Sequence, residues 1–314
     1  AVKILPQLVL DKIKILVIMK RFDCLFLELY QVLLITLNFK LMKTTYKIII
    51  IAFTLFLTSC EDVVNIELDT APAKLVIDAS LKWEKGTTGN AQTIKLTTTT
   101  DFYATTIPVA SGAVVFVRDE NANQFDFIET PGTGNYICTN FIPVINRNYI
   151  LTVIYNGQTY TASEKLIAVP TIDSIEQDNE GGFTGSEIEV KFFFQDTAIV
   201  NNFYLTQFNT SLRLLPEYDV IDDDFFQGNQ MFGLYSNEDL KTNDQIHFTL
   251  QGISERYYNY MNVLLGIAGT NGGSPFQTPP ATVRGNIINQ TNFNNFALGY
   301  FSVSETDKKS YIVQ

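Results

Sequence analysis

Apolar and polar side chains alternate through much of the chain after residue 74. In Leu75-Val76-Ile77-Asp78-Ala79-Ser80-Leu81, the residues Leu75, Ile77, Ala79 and Leu81 share one face, as in a half-buried strand. After a loop over Lys82 to Ala91, Gln92 to Thr98 repeats the pattern. Ala113 to Val117 is apolar at every position, which predicts a central strand covered on both sides. Phe125 to Glu129, Asn135 to Thr139, Tyr149 to Tyr155 and Gln158 to Ser163 continue the series. Asn156-Gly157 joins the last two as a two-residue hairpin, whose turn requires positive φ at both positions. Short strands without a helical period predict an antiparallel β-sandwich over residues 74–169.

Val169-Pro170 ends that series, because proline cannot extend a hydrogen-bonded strand. Residues 170–314 read as a second, β-rich domain. Its strands are expected at Ile172 to Ile175, Glu187 to Gln195, Phe203 to Phe208, Met231 to Tyr235, Gln245 to Leu250 and Ala297 to Val303. Asp219 to Gly228 reads as an acidic loop. One helix is predicted over 254–268. Ser254 is a good N-cap, Ile253 and Tyr258 are spaced as a hydrophobic staple, and Tyr257, Tyr260, Met261, Leu264, Leu265 and Ala268 form an apolar stripe that Gly269 ends. The expected fold class is mainly β: a sandwich, then a β-rich domain with one amphipathic helix.

The first 73 residues follow different rules. Met42, Lys43 and Lys47 precede the apolar run Ile48 to Phe56, and Leu57-Thr58-Ser59 leads to Cys60, so residues 42–59 have the order of a signal peptide. The apolar run is about ten residues, whereas a spanning helix needs roughly 20. Leu57-Thr58-Ser59-Cys60 resembles the lipobox of bacterial lipoproteins, which implies cleavage before Cys60 and acylation of its thiol. Each buried CH₂ of such chains contributes roughly 0.8 kcal/mol to membrane binding. Residues 1–41 read as a translated upstream leader, and residues 60–73 as an acidic tether. Glu61-Asp62 after the cysteine resembles the signal that sends lipoproteins of the Bacteroidetes to the cell surface.

From Cys60 onward the chain has 14 basic and 30 acidic side chains, a net charge of −16. That balance argues against nucleic acid, whose phosphates call for Lys and Arg. Cys138 is the one cysteine left free once Cys60 is acylated, and it reads as a small core residue. His247 is the single histidine and has no catalytic motif around it, so neither a histidine-dependent nucleophile nor zinc is indicated. Asp219, Asp222, Asp223 and Asp224 could offer oxygens to calcium, but they lack EF-hand spacing and read better as a solvated loop. Trp83, the single tryptophan, is a candidate ligand contact or, more plainly, a rim residue of the core. Asp69-Thr70-Ala71, Asp173-Ser174-Ile175 and Asp196-Thr197-Ala198 resemble a short O-glycosylation acceptor of the Bacteroidetes. An enzyme is not expected, nor is a cofactor other than the lipid on Cys60.

Two resemblances sharpen these expectations. Ser111 to Val117, Gly134-Asn135-Tyr136, Tyr149 to Val153 and Gly157 to Ala162 resemble the Ig-like module related to carboxypeptidase regulatory domains. Tyr257-Tyr258-Asn259-Tyr260, Pro279 to Ile287 and Leu298-Gly299-Tyr300-Phe301-Ser302 resemble the C-terminal signature of the DUF4249 family, uncharacterised lipoproteins of the Bacteroidetes. Cys60-Glu61 and Asp223 to Gly228 fit the same pattern. The resemblance implies work beside a TonB-dependent outer-membrane receptor. The expected function is therefore an outer-membrane, surface-exposed lipoprotein acting as an accessory or binding subunit of such a transporter. The alternatives are an independent glycan- or peptide-binding surface module and, further off, a hydrolase.

Overall fold

The computed structural model describes residues 72–101, 104–182, 185–198, 200–268 and 283–314. The leader, the signal, Cys60, the tether up to residue 71, Gly269 and the Pro279 to Thr282 part of the C-terminal signature lie outside the described residues. The described chain is mainly β with one helix.

The strands of the first sandwich follow the predicted order: β1 (Leu75–Glu84), β2 (Gln92–Thr98), β3 (Val114–Asp119), β4 (Gln124–Thr130), β5 (Asn135–Cys138), β6 (Asn148–Tyr155) and β7 (Gln158–Lys165). Along β1 the alternation holds, with Leu75, Ile77, Ala79 and Leu81 buried and Asp78 exposed. Asn156 and Gly157 both have positive φ, 49° and 72°, as the hairpin between β6 and β7 requires. β3 departs from expectation, because Val115 and Val117 are buried but Val114 is 56% exposed. It pairs with β4 on one side and β6 on the other, and only its inner face meets the core. β4 pairs with β3 through Gln124 to Phe127 and with β5 through Ile128 to Thr130, so one strand serves both layers. Two buried tyrosines pin the loops. Tyr136 donates its hydroxyl to Ala110 O at 2.8 Å, and Tyr149 donates to Ile142 O at 2.8 Å. Cys138 is a free, buried thiol in this core.

The second sandwich comprises β8 (Ile172–Gly181), β9 (Glu187–Gln195), β10 (Phe203–Thr210), β11 (Glu217–Asp222), β12 (Gln230–Ser236) and β13 (Gln245–Ile253). The sheet β12-β9-β8 contributes Ile172, Phe192, Phe194 and Met231 to a core shared with Tyr204, Phe208 and Phe248 of β10 and β13. Phe192 packs against Phe248 with ring centroids 5.3 Å apart. β11 corrects the sequence expectation, since its residues Asp219 to Asp222 read as loop. It is the edge strand next to β10 and its six residues are all half-buried or exposed, so it lacks the alternation that marks a strand.

Helix α1 (Glu255–Ala268) starts as predicted, with Tyr257 N donating to Ser254 Oγ at 3.2 Å. A short strand, β14 (Ile288–Asn289), then adds to β7. The last strand, β15 (Leu298–Ile312), extends well past its predicted end at Val303. It pairs in parallel with β1, from Val76 opposite Leu298 to Glu84 opposite Thr306. From Thr306 to Ile312 it pairs antiparallel with β13. The first sandwich is therefore not purely antiparallel. The division at Val169-Pro170 separates the two cores along the chain up to Ile287, where the chain returns to the first core with Ile287, Ala297, Phe301 and Val303.

Close backbone packing holds this return in place. Gly299 has φ +94°, and a Cβ there would lie 2.0 Å from Ile77 O. Asn286, buried, accepts from Phe301 N through Oδ1 at 2.9 Å and donates to Phe301 O through Nδ2 at 2.7 Å. On the far side, Glu305 accepts from Val169 N at 2.9 Å and Asp307 from Ile172 N at 2.7 Å, so β15 also fixes the connection between the sandwiches. Gly299→Ala is expected to destabilise the fold by more than about 2 kcal/mol and Asn286→Ala by about 1–3 kcal/mol, both measured by urea unfolding. Equal stability of Gly299→Ala and wild type would refute this account of the β1–β15 contact.

Candidate functional site

The alternation that buries Ile77, Ala79 and Leu81 turns Asp78, Ser80 and Lys82 away from the first core. Thr93 and Lys95 of β2 and Asn135 of β5 face the same way, with Asp78 opposite Lys95 and Lys95 opposite Asn135. Leu205 of β10, Tyr218 of β11 and Tyr257 and Met261 of α1 complete a cleft of about 500 Å³. That size falls in the usual range of small-ligand sites, roughly 300–1,000 Å³. Residues of both sandwiches line it.

Helix α1 is seated by its apolar stripe: Tyr257, Met261 and Leu265 are buried with Leu205, Ile253 and Tyr300. Tyr300 of β15 anchors the cluster, its ring centroid 4.6 Å from that of Tyr257 and 4.8 Å from that of Tyr260. Its hydroxyl donates to Glu164 Oε2 at 3.1 Å and accepts from Arg256 Nε at 3.4 Å. Arg256 also donates to Ser163 O at 3.2 Å, tying the helix to β7. The signature stretches Tyr257 to Tyr260 and Leu298 to Ser302 thus meet in one aromatic cluster beside the cleft.

The charges in the cleft have mixed sign. Burial lowers the pKa of Lys82, Asp78 opposes that shift, and Lys308 adds to it. Burial raises the phenols of Tyr218 and Tyr260, and the negative charge of Asp78 raises them further, so both remain hydrogen-bond donors at neutral pH. Gln251 of β13 pairs with Leu205 on one side and Thr306 on the other. Its amide nitrogen and oxygen, and Thr306 Oγ1, are buried without a protein partner. The arrangement suits hydrogen bonding to a neutral polar molecule with an apolar face.

The residues singled out from sequence lie elsewhere. Trp83 sits on the core-facing side of β1, half-buried, and donates Nε1–H to Thr87 O at 2.9 Å. A Cβ on Gly89 would meet its ring at 2.5 Å, so the indole is enclosed by its own loop and points away from the cleft. The four aspartates do not converge. Asp219 and Asp222 are on opposite faces of β11, Asp222 accepts from Tyr258 OH at 2.6 Å, Asp223 is buried, and Asp224 is exposed. No group of three or more metal-ligating side chains occurs among the described residues. His247 is exposed, with Nδ1 2.7 Å from Ser310 Oγ. In the glycosylation-like triplets Ser174 and Thr197 are exposed, whereas Asp196 is buried.

Sequence reasoning missed Asp78, Lys82, Lys95 and Tyr218. The alternation of β1 put Asp78, Ser80 and Lys82 on one face, but what stands over that face comes from a helix far along the chain.

No curated protein matches the chain. Among solved structures it is similar to a two-domain fibronectin type III segment of chicken tenascin, at 8% identity and a TM-score of 0.20 over 51% of this chain and 83% of that one. It is similar to a chain of a cytokine receptor complex at 10% identity and a TM-score of 0.22, over 57% and 83%. It is also similar to a DUF4785 family protein of Legionella pneumophila at 5% identity and a TM-score of 0.24, over 57% and 52%. By sequence, residues 61–310 match the family model DUF4249, a domain of unknown function, and the chain belongs to that family.

Proposed function

We propose that this protein is a lipid-anchored binding subunit at the outer membrane that serves a TonB-dependent transporter. In this reading Cys60 carries the anchor, the tether gives reach, and the cleft lined by Asp78, Lys82, Lys95, Tyr218 and Tyr257 receives the ligand. The cleft carries the proposal, because it is built from both sandwiches and offers both hydrogen-bonding and aromatic side chains. The order of charged, apolar and small residues before Cys60 supports the anchor. A glycan suits the cleft best: sugar rings have apolar faces for Tyr218 and hydroxyls for Asp78, Lys95 and Asn135.

A second reading is an independent surface module, which takes the same cleft and needs no transporter. Affinity purification of the tagged protein from gently solubilised outer membranes separates the two. A stoichiometric barrel partner is expected. Recovery of the lipoprotein alone, while a control complex survives the detergent, would leave the independent module.

For the cleft, Asp78→Ala and Lys95→Ala are each expected to weaken binding of an array-selected glycan by roughly 10-fold, without loss of stability. Trp83→Ala is expected to leave affinity unchanged. Loss of binding in Trp83→Ala with both cleft variants intact would overturn the assignment of the cleft.

A further inference from the structure

The sheet that floors the cleft runs on beyond its lining. β1, β2, β5 and β4 are consecutive neighbours in one sheet. Their registers set Asp78 opposite Lys95, Lys95 opposite Asn135 and Asn135 opposite Thr130, so these four stand in one row across the strands. Two residues along, on the same face, Thr93 is opposite Ile137 and Ile137 is opposite Ile128. Asn135 and Thr93 line the cleft, and the two isoleucines therefore adjoin it.

The core sits on the other side of these strands. Tyr136 and Cys138 of β5 and Phe125 and Phe127 of β4 are buried, whereas Ile137 is 41% and Ile128 is 69% exposed. Single exposed apolar residues are ordinary. Here two β-branched side chains face each other across a strand pair, at the rim of a cleft. The row beside them also changes character: the charges of Asp78 and Lys95 give way to the neutral Asn135 and Thr130. A ligand that leaves the cleft across the strands meets hydrogen-bonding groups along one edge and an apolar floor along the other. The two rows are about 6.7 Å apart, and the strands about 4.8 Å. An extended peptide laid the same way repeats one face about every 6.7 Å, out of step with the strands.

We propose that this strip is a second subsite for the same ligand, and that it receives the acetamido group of an N-acetylated sugar. An acetamido group joins an amide N–H and a carbonyl to a methyl. Asn135 offers both an acceptor and a donor, Thr93 offers a hydroxyl, and Ile137 and Ile128 form the floor for the methyl. The inference rests on the reading of the cleft as a glycan site: one ring occupies the cleft, and the substituent of the next lies on the strip.

Isothermal titration of the detergent-solubilised lipoprotein with two β-1,4-linked tetramers, one of N-acetylglucosamine and one of glucose, tests the subsite. The acetylated tetramer is expected to bind roughly 10-fold more tightly. Ile128→Thr with Ile137→Thr, both at exposed strand positions, is expected to remove that preference and leave the affinity for the glucose tetramer unchanged. Asp78→Ala is expected to weaken both tetramers. Equal affinities in wild type, with both weakened by Asp78→Ala, would overturn the subsite and leave the cleft as a glycan site. A preference that survives the double isoleucine variant would place the acetamido group elsewhere and overturn the proposal equally. Binding of neither tetramer would overturn the subsite together with the glycan reading of the cleft. An N-acetylated tetra-alanine peptide is expected not to bind, and tighter binding of it than of either sugar would assign the strip to peptides.

Discussion

The backbone ladder on the two edges of β15 is the constraint on which the structure depends. One edge bonds to β1, at the start of the described body, and the other to β13, in the second sandwich. Each sandwich alone would leave a strand edge open, and open edges invite pairing with other chains. A single strand closes both. The connection at Val169 to Ile172 is clamped to the same strand by Glu305 and Asp307, so the sandwiches are joined by more than a linker.

That constraint explains why residues near the C-terminus read as a family signature although none is in a recognisable chemical motif. Gly299 lets β15 approach Ile77, Gly285 lies against the backbone of Gly299, and Asn286 takes the place of a neighbouring strand for Phe301. Tyr300 on the opposite face anchors α1 through Tyr257 and Tyr260. These residues are architectural. They act on the cleft indirectly, by setting the position of the helix that forms one wall.

The sequence was most legible where one face of a strand is buried and the other is wet. β1, β9 and α1 announced themselves through Leu75 to Leu81, Ile188 to Phe194 and the Tyr257 to Leu265 stripe. It was least legible where partners supply the strand: β11 has no buried side to alternate against, and the second half of β15 is a run of Ser, Glu, Thr, Asp and Lys. Local chemistry was likewise a poor guide to sites. The run of aspartates offered calcium ligands only as a lesser reading beside a solvated loop, and the pleat of β11 sends Asp219 and Asp222 to opposite faces. Asp196 drew attention only as part of an exposed triplet, and its burial depends on Tyr204 and Gly228. Trp83 was conspicuous for being unique, whereas Asp78 and Lys82, four positions apart on the strand's outer face, were not.

The pairing of β1 with β15 also governs the order in which the molecule can assemble. Ser80 and Ser302, in contact across that ladder, are 222 positions apart. A chain emerging from its N-terminus must hold β1 with one edge unpaired until almost the entire sequence is available. Long-range closures of this kind slow folding and prolong exposure of a sticky edge. Lys82 and Glu84 on β1 put charge along that waiting edge, a common defence against premature association. The same architecture that leaves the finished body without a weak seam makes its nascent form dependent on protection until the last strand arrives.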